Sequence, residues 1–228
     1  MVNIANIKLT ILVIFGGEEV FVINTNFNKL TVEKKDLIIN AALKEFVRSG
    51  FDRASTNEIV KEAKISKGSL FNYFNNKKDL YIYLMKYSIE IIESLFEQID
   101  LNETDLFKRI ENIGLQKLHI QKKYPLVFDF LASSSQEEST EVKDIINDNV
   151  NLIYKNGTEL IYKNIDYSLF REDINIEKAI EILNWTMFGF GEKAIKQISS
   201  FKNIDEFGDQ YLKDWENYAK ILKYSFYK

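Results

Sequence analysis

Apolar residues recur at steps of three and four along nearly all of this chain, which is the period of a helix that buries one face. The spacing predicts a helix from about Val32 to Ser49, ended by Gly50, and two short helices between Ser55 and Phe74. A long helix follows from Lys77 to Ile99, with Leu80, Leu84, Tyr87, Ile91, Leu95 and Ile99 along one stripe. Asn102 or Thr104 can cap the next helix, which runs to Lys122-Lys123. Tyr124-Pro125 breaks the chain and restarts it, because proline suits a first helical turn. Ser133-Ser134-Ser135 reads as a loop, Thr140 to Ile161 as a helix, and residues 164–174 as a second loop. Asn175 then caps a helix to Ile198, and a last helix spans Asp205 to Tyr224. The expectation is an all-α fold of about nine helices.

The first thirty residues carry a different pattern. Two β-branched runs, Ile7–Phe15 and Val20–Ile23, flank Gly16-Gly17 and could pair as a hairpin. A lone hairpin is barely stable in water. The other reading places the start of translation near Leu30 and leaves this segment outside the domain. Either way the core pattern starts at Leu37, so residues 1–30 are expected to be dispensable. The segment lacks a basic cluster and a small-residue cleavage site, so it does not read as a signal peptide. Its longest purely apolar run is Ile11 to Phe15, and no stretch of the chain approaches the ~20 apolar residues of a membrane span.

The segment from Ser55 to Leu80 carries the most specific chemistry. Ser55 with Glu58 three residues on makes a capping box, and Ile59, Val60 and Ala63 give the short helix one apolar face. Lys64-Ile65 forms a turn. Ser66 caps the next helix, where Leu70 and Phe74 face inward with Phe71 beside them. That assignment leaves Lys67, Ser69, Asn72 and Tyr73 facing outward. Asn76 caps the following helix, with Asp79 at its third position. Lys77 and Lys78 sit in its first turn, where the helix dipole disfavours cations unless phosphate lies nearby. Two short helices at a tight turn, the second opening with polar and basic residues, describe a helix-turn-helix. A structural hairpin has no need of the Ser-Lys-Gly-Ser-Leu run.

Charge sharpens this reading. The 228-residue chain has a net charge of −4, which alone argues against a nucleic-acid partner. Residues 31–90, however, hold eleven Lys/Arg against eight Asp/Glu, while 91–228 hold seventeen against twenty-four. A basic head on an acidic body suits DNA binding by the head alone. There is no cysteine, so disulfides and thiolate chemistry are excluded.

The stretch from Leu37 to Leu84 resembles the N-terminal domain of TetR-family transcriptional regulators. The matching residues are Ile38 to Phe46, Gly50-Phe51, Ala54-Ser55-Thr56, Glu58-Ile59, Ala63, Ser66 to Phe74, and then Lys77, Asp79 and Leu80. Lys64 stands where the family usually has glycine, and Phe71 where it usually has tyrosine. The resemblance implies a DNA-binding head over 31–80 and a helical ligand-binding and dimerisation body over 81–228, with 1–30 as an extension. The DNA-facing set it implies is Ser55, Thr56, Lys67, Gly68, Ser69, Asn72, Tyr73 and Lys77.

The body is rich in aromatics, among them Phe107, Tyr124, Phe130, Tyr162 and Phe188. Residues expected at a pocket for a small lipophilic effector are His119, Phe128, Tyr154 and Trp185. The last two helices have broad apolar faces. TetR-like proteins dimerise through these helices, which implies a four-helix homodimer contact through Phe188, Gly191, Ile195, Trp215 and Tyr218, with Gly189 as a second point of close approach. No metal cluster, phosphate loop or activated nucleophile stands out, and Glu141, Asp144 and Asp148 read as a solvated acidic face. The chain is therefore expected to be no enzyme and to need no cofactor or metal. The expected function is a ligand-responsive repressor, cytoplasmic and free of the membrane, binding a palindromic double-stranded operator as a homodimer. The alternatives are a DNA-binding or chromosome-organising protein of the same fold without sensing, and a helical carrier of lipophiles.

Overall fold

A computed structural model describes residues 25–197 and 204–228. Among the described residues there are ten α-helices, one turn of 3-10 helix and no strand, in keeping with the all-α expectation. The head contains α1 (Thr25–Asn28), α2 (Val32–Arg53), α3 (Thr56–Glu62) and α4 (Lys67–Tyr73), and α5 (Lys77–Phe96) runs from it into the body. The body adds α6 (Leu106–Lys123), α7 (Pro125–Ser134), α8 (Lys143–Tyr162), α9 (Ile176–Gln197) and α10 (Ile204–Phe226). The 3-10 turn, Tyr167–Leu169, falls inside the expected loop. The hairpin expected over Ile7–Ile23 lies outside the described residues, as do the side chains of Ile195 and Ile198.

Most helix starts follow from their caps. Ser66 Oγ accepts from Ser69 N at 3.0 Å, Asn76 Oδ1 from Asp79 N at 2.8 Å, and Asn175 Oδ1 from Lys178 N at 3.0 Å. The start of α6 differs from expectation. Its cap is Asp105, whose carboxylate also receives Lys223 Nζ at 2.7 Å and Tyr227 Oη at 3.1 Å. One side chain thus starts α6 and ties down the C-terminal end of the chain. Ser55 also departs from its expected role: its hydroxyl caps nothing, and its N–H donates instead to Glu45 Oε1 at 2.9 Å. Glu45 is buried and also receives Arg48 and Ser49, so α2 fixes the turn into α3.

Phe27 corrects the expectation that residues 1–30 are dispensable. It is fully buried, with its ring centroid 5.7 Å from Tyr73, 4.9 Å from Phe74 and 5.2 Å from Tyr83. Leu30 packs against the same cluster, whereas Leu37 is exposed. The head core therefore includes α1, which plugs the crevice between α4 and α5.

Gly50 interrupts α2 with φ 68° and ψ 174°, a conformation essentially restricted to glycine. The break removes the helical partner of the next N–H. Phe51 N donates instead to Glu137 Oε2 at 2.6 Å, across from the turn after α7. The other oxygen of Glu137 accepts from Glu138 N and Ser139 N at 3.1 and 3.0 Å. Around this contact, Phe46, Phe51 and Phe130 surround the ring of Tyr81 at 5.0, 5.3 and 5.1 Å. Burial pushes the Tyr81 phenol up to about 12, so it stays protonated and pairs with Ser134 Oγ at 2.8 Å. One apolar cluster consequently runs from Phe27 through Phe46 and Phe74 to Val127 and Ile146, joining head to body.

A second cluster, including Leu106, Phe107, Leu183, Phe190 and Trp215, holds the far end of the body. Arg109 is buried beside it and donates to the carbonyls of Ile161 at 3.1 Å and of Lys163, at the C-terminal end of α8, where a cation is favoured by the dipole.

Two outcomes are expected. Phe27→Ala removes a fully buried ring and should cost about 3–5 kcal/mol, lowering the midpoint of thermal unfolding by roughly 10 °C; a chain begun at Leu30 should show the same loss. Glu137→Ala leaves the Phe51 N–H buried without an acceptor, at a cost of about 1–3 kcal/mol in urea unfolding. Glu137→Gln keeps an acceptor oxygen and should lose less than half as much.

Candidate nucleic-acid interface

The helix-turn-helix is built by α3 and α4. The turn between them closes with Ile65 N on Val60 O at 3.0 Å, the long-range bond of a Schellman C-cap, and Lys64 takes the left-handed conformation there at φ 54°. The residue that departs from the family's glycine thus adopts a glycine-like backbone, which costs a non-glycine residue roughly 1–2 kcal/mol.

Within α4 the buried stripe is Leu70, Tyr73 and Phe74, at steps of three and four, with Tyr73 half-buried against Phe27. Lys67, Gly68, Phe71 and Asn72 make up its exposed face, and Asn75 is exposed just past its end. This exchanges two expected positions: Tyr73 turns inward and Phe71 outward. The physical reason is α1, which supplies an apolar partner on the Tyr73 side. Among the described residues Lys67 and Asn72 make no hydrogen bond or ion pair, so both heads are available to a ligand. Ser69 is half-buried with its hydroxyl 2.8 Å from Ser66 Oγ. Ser55 and Thr56 are half-buried at the start of α3.

Lys77 has another task. Its ammonium lies 4.6 Å from the centre of the Phe51 ring and donates to the carbonyls of Phe51 at 2.7 Å and Asp52 at 3.0 Å. The carbonyls freed at the end of α2 thereby hold the cation that was expected to meet phosphate.

The body residues expected at a pocket do not converge. Trp185 and Tyr154 are exposed at 69% and 72%, and Phe128 is half-buried. His119 lines a cavity of about 240 Å³ at the junction of α5 and α6, with Ile99, Asp100, Arg109, Ile113 and Leu115 among its other walls.

The dimer candidates also change places. Trp215 is 6% exposed, with its ring centroid 5.5 Å from that of Phe190 inside the same chain. Phe188, by contrast, is 72% exposed, and Tyr218, Ile182, Trp185, Ile221 and Tyr224 of α9 and α10 are exposed as well. A methyl added at Gly189 or Gly191 would touch nothing in this chain, and Gly189 is the one that shares the exposed stripe with Trp185 and Phe188. Gly191 is half-buried, off that stripe. Glu141, Asp144 and Asp148 are exposed, as expected of a solvated face. Among the described residues no group of acids and histidine is arranged to hold a metal ion, and no helix is long and apolar enough to cross a membrane.

Residues 38–84 match the family model of bacterial regulatory proteins, tetR family. The uncharacterized HTH-type transcriptional regulator YuxN of Bacillus subtilis is 46% identical over 55 residues, 24% of this chain and 19% of its own length. The chain spans between 19% and 61% of the length of the first curated relatives it matches. The fold is similar over a longer range. A TetR family transcriptional regulator from Chloroflexus aurantiacus J-10-FL superposes with a TM-score of 0.63 at 22% identity, covering 90% of this chain and 98% of that one. The ketosteroid transcriptional regulator KstR2 of Mycobacterium tuberculosis gives 0.60 at 14% identity, covering 88% and 97%. Residues 38–84 thus carry the helix-turn-helix segment of the tetR family of bacterial regulatory proteins, and the wholly helical fold around it is similar to that of TetR-family regulators.

Proposed function

We propose that this protein is a transcriptional repressor that binds a palindromic operator as a homodimer and is released by a small lipophilic molecule. The observation that carries DNA binding is the exposed face of α4, where Lys67, Gly68 and Asn72 stand without partners on a helix held rigidly from behind by Leu70, Tyr73 and Phe74. Lysine gives charge to phosphate, asparagine can read an adenine edge, and glycine lets backbones approach. One such helix covers too few base pairs to select a site, whereas two heads about 34 Å apart read successive major grooves.

The exposed aromatics of α9 and α10 support the homodimer. Trp185, Phe188, Ile221 and Tyr224 form an apolar surface that a second copy of these helices would cover. The cavity beside Ile99 supports the effector, as does the ketosteroid regulator among proteins of similar fold. A molecule seated there bears on the chain just past the end of α5, whose first turn carries Lys77 and through it the end of α2. Its effect on DNA affinity is limited to its differential affinity for the two head spacings.

Two measurements test this. Lys67→Ala should flatten the dependence of log Kd on log salt by about one unit, as loss of one phosphate contact does. Lys77→Met should leave that slope unchanged and instead lower stability by about 1.5–3 kcal/mol through its lost bonds to carbonyls. A flattened slope for Lys77→Met with unchanged melting would return that ammonium to the DNA.

At micromolar concentration the protein should sediment as a dimer, and Phe188→Glu as a folded monomer, because Phe188 is mostly exposed in its own chain. Truncating Trp185 to alanine should cost about 2 kcal/mol of dimer affinity. Wild-type protein that sediments as a monomer would exclude the proposed pairing of heads.

A further inference from the structure

The exposed face of α4 contains one side chain that its polar neighbours do not explain. Phe71 is 39% exposed, and among the described residues its ring stacks on no other ring. It lies one turn after Lys67 and beside Asn72, with Asn75 just past the end of α4. A methyl added at Gly68 would meet only Ser66 Oγ, at 3.8 Å. The packing of this chain therefore does not require a glycine at 68.

An isolated phenyl ring between a lysine and two amides is a poor anchor for another protein, which needs a wider apolar patch. In the major groove the one apolar group that differs between bases is the 5-methyl of thymine. We infer that Phe71 is a specificity-determining residue that packs against a thymine methyl in each half-site. This rests on the DNA-binding reading of α4. The surrounding groups agree with it: Lys67 holds the adjacent phosphate, and Asn72 can take the neighbouring base edge through its amide. Phe71 offers no donor or acceptor, so it discriminates thymine from cytosine by the methyl alone.

The test uses the full-length protein and a duplex selected by it from a random library. Each thymine of the selected site is replaced in turn by deoxyuridine, which removes only the methyl. One thymine per half-site should be sensitive, with the substitution weakening binding about three- to five-fold, the worth of one buried methyl. With Phe71→Ala the thymine and deoxyuridine duplexes should bind equally. Lys67→Ala should weaken both duplexes alike and keep their ratio. Wild-type binding that is indifferent to deoxyuridine at every position, or a preference that survives Phe71→Ala, overturns the assignment while leaving DNA binding intact. A library from which no sequence is enriched overturns the DNA-binding reading, and the role of Phe71 with it.

Discussion

The peptide group of Phe51 is held at both ends by charge. Its N–H gives to the carboxylate of Glu137 at 2.6 Å, and its carbonyl receives the ammonium of Lys77 at 2.7 Å. The first partner belongs to the turn after α7 and the second to the first turn of α5. Both bonds exist because Gly50 breaks α2 one residue earlier and strips Phe51 of its helical partner. Head, connecting helix and body therefore meet at one backbone unit. An N–H or carbonyl left unpaired there costs about 1–3 kcal/mol, so neither partner can drift far without a penalty comparable to a sizeable share of a domain's net stability. The aromatic group of Phe46, Phe51, Tyr81 and Phe130 closes around the same point and keeps it dry.

Local signals survive well in the sequence. Ser66, Asn76 and Asn175 cap where a short polar side chain precedes an apolar period, Pro125 restarts a helix, and Gly50 breaks one. These depend on neighbours three or four residues away, which a sequence displays directly. The errors have a different origin. The inward and outward positions of Phe71 and Tyr73 are decided by Phe27, more than forty positions upstream, and the pattern of α4 alone permits either arrangement. The cue was the pair Phe27 and Leu30, one helical turn apart just before Thr31, which caps α2. Ser55 fits a capping box by spacing, but Glu45 from the preceding helix reaches its N–H first.

The two tryptophans show the same limit in the body. The apolar arcs of α9 and α10 are wide enough to serve a core and an interface at once, and periodicity does not say which edge of an arc faces its own chain. Trp215 belongs with Phe190 inside, and Trp185 belongs to the open face. Lysines mislead for a related reason. A basic residue at a helix N-terminus suggests an anion, yet the carbonyls at the end of a broken helix satisfy Lys77 equally well. Arg109 escaped notice because its partners are backbone carbonyls, those of Leu101 and Glu103 nearby and of Ile161 and Lys163 some fifty residues away, which leave no mark in the sequence pattern.

Gly157 lies against Phe96, where α8 crosses the last turn of α5. A methyl added there would come within 2.9 Å of the ring. The ring of Phe96 fills the space between the two helices at that crossing, and the contact sits at the opposite end of α5 from Lys77. Such a contact is a fulcrum. A helix of 20 residues is about 30 Å long, so a rotation of about 5° about Phe96 carries the Lys77 end sideways by roughly 2.6 Å. That is small beside the groove spacing but larger than the tolerance of a hydrogen bond. A side chain at position 157 would meet that ring and force α8 away from the end of α5.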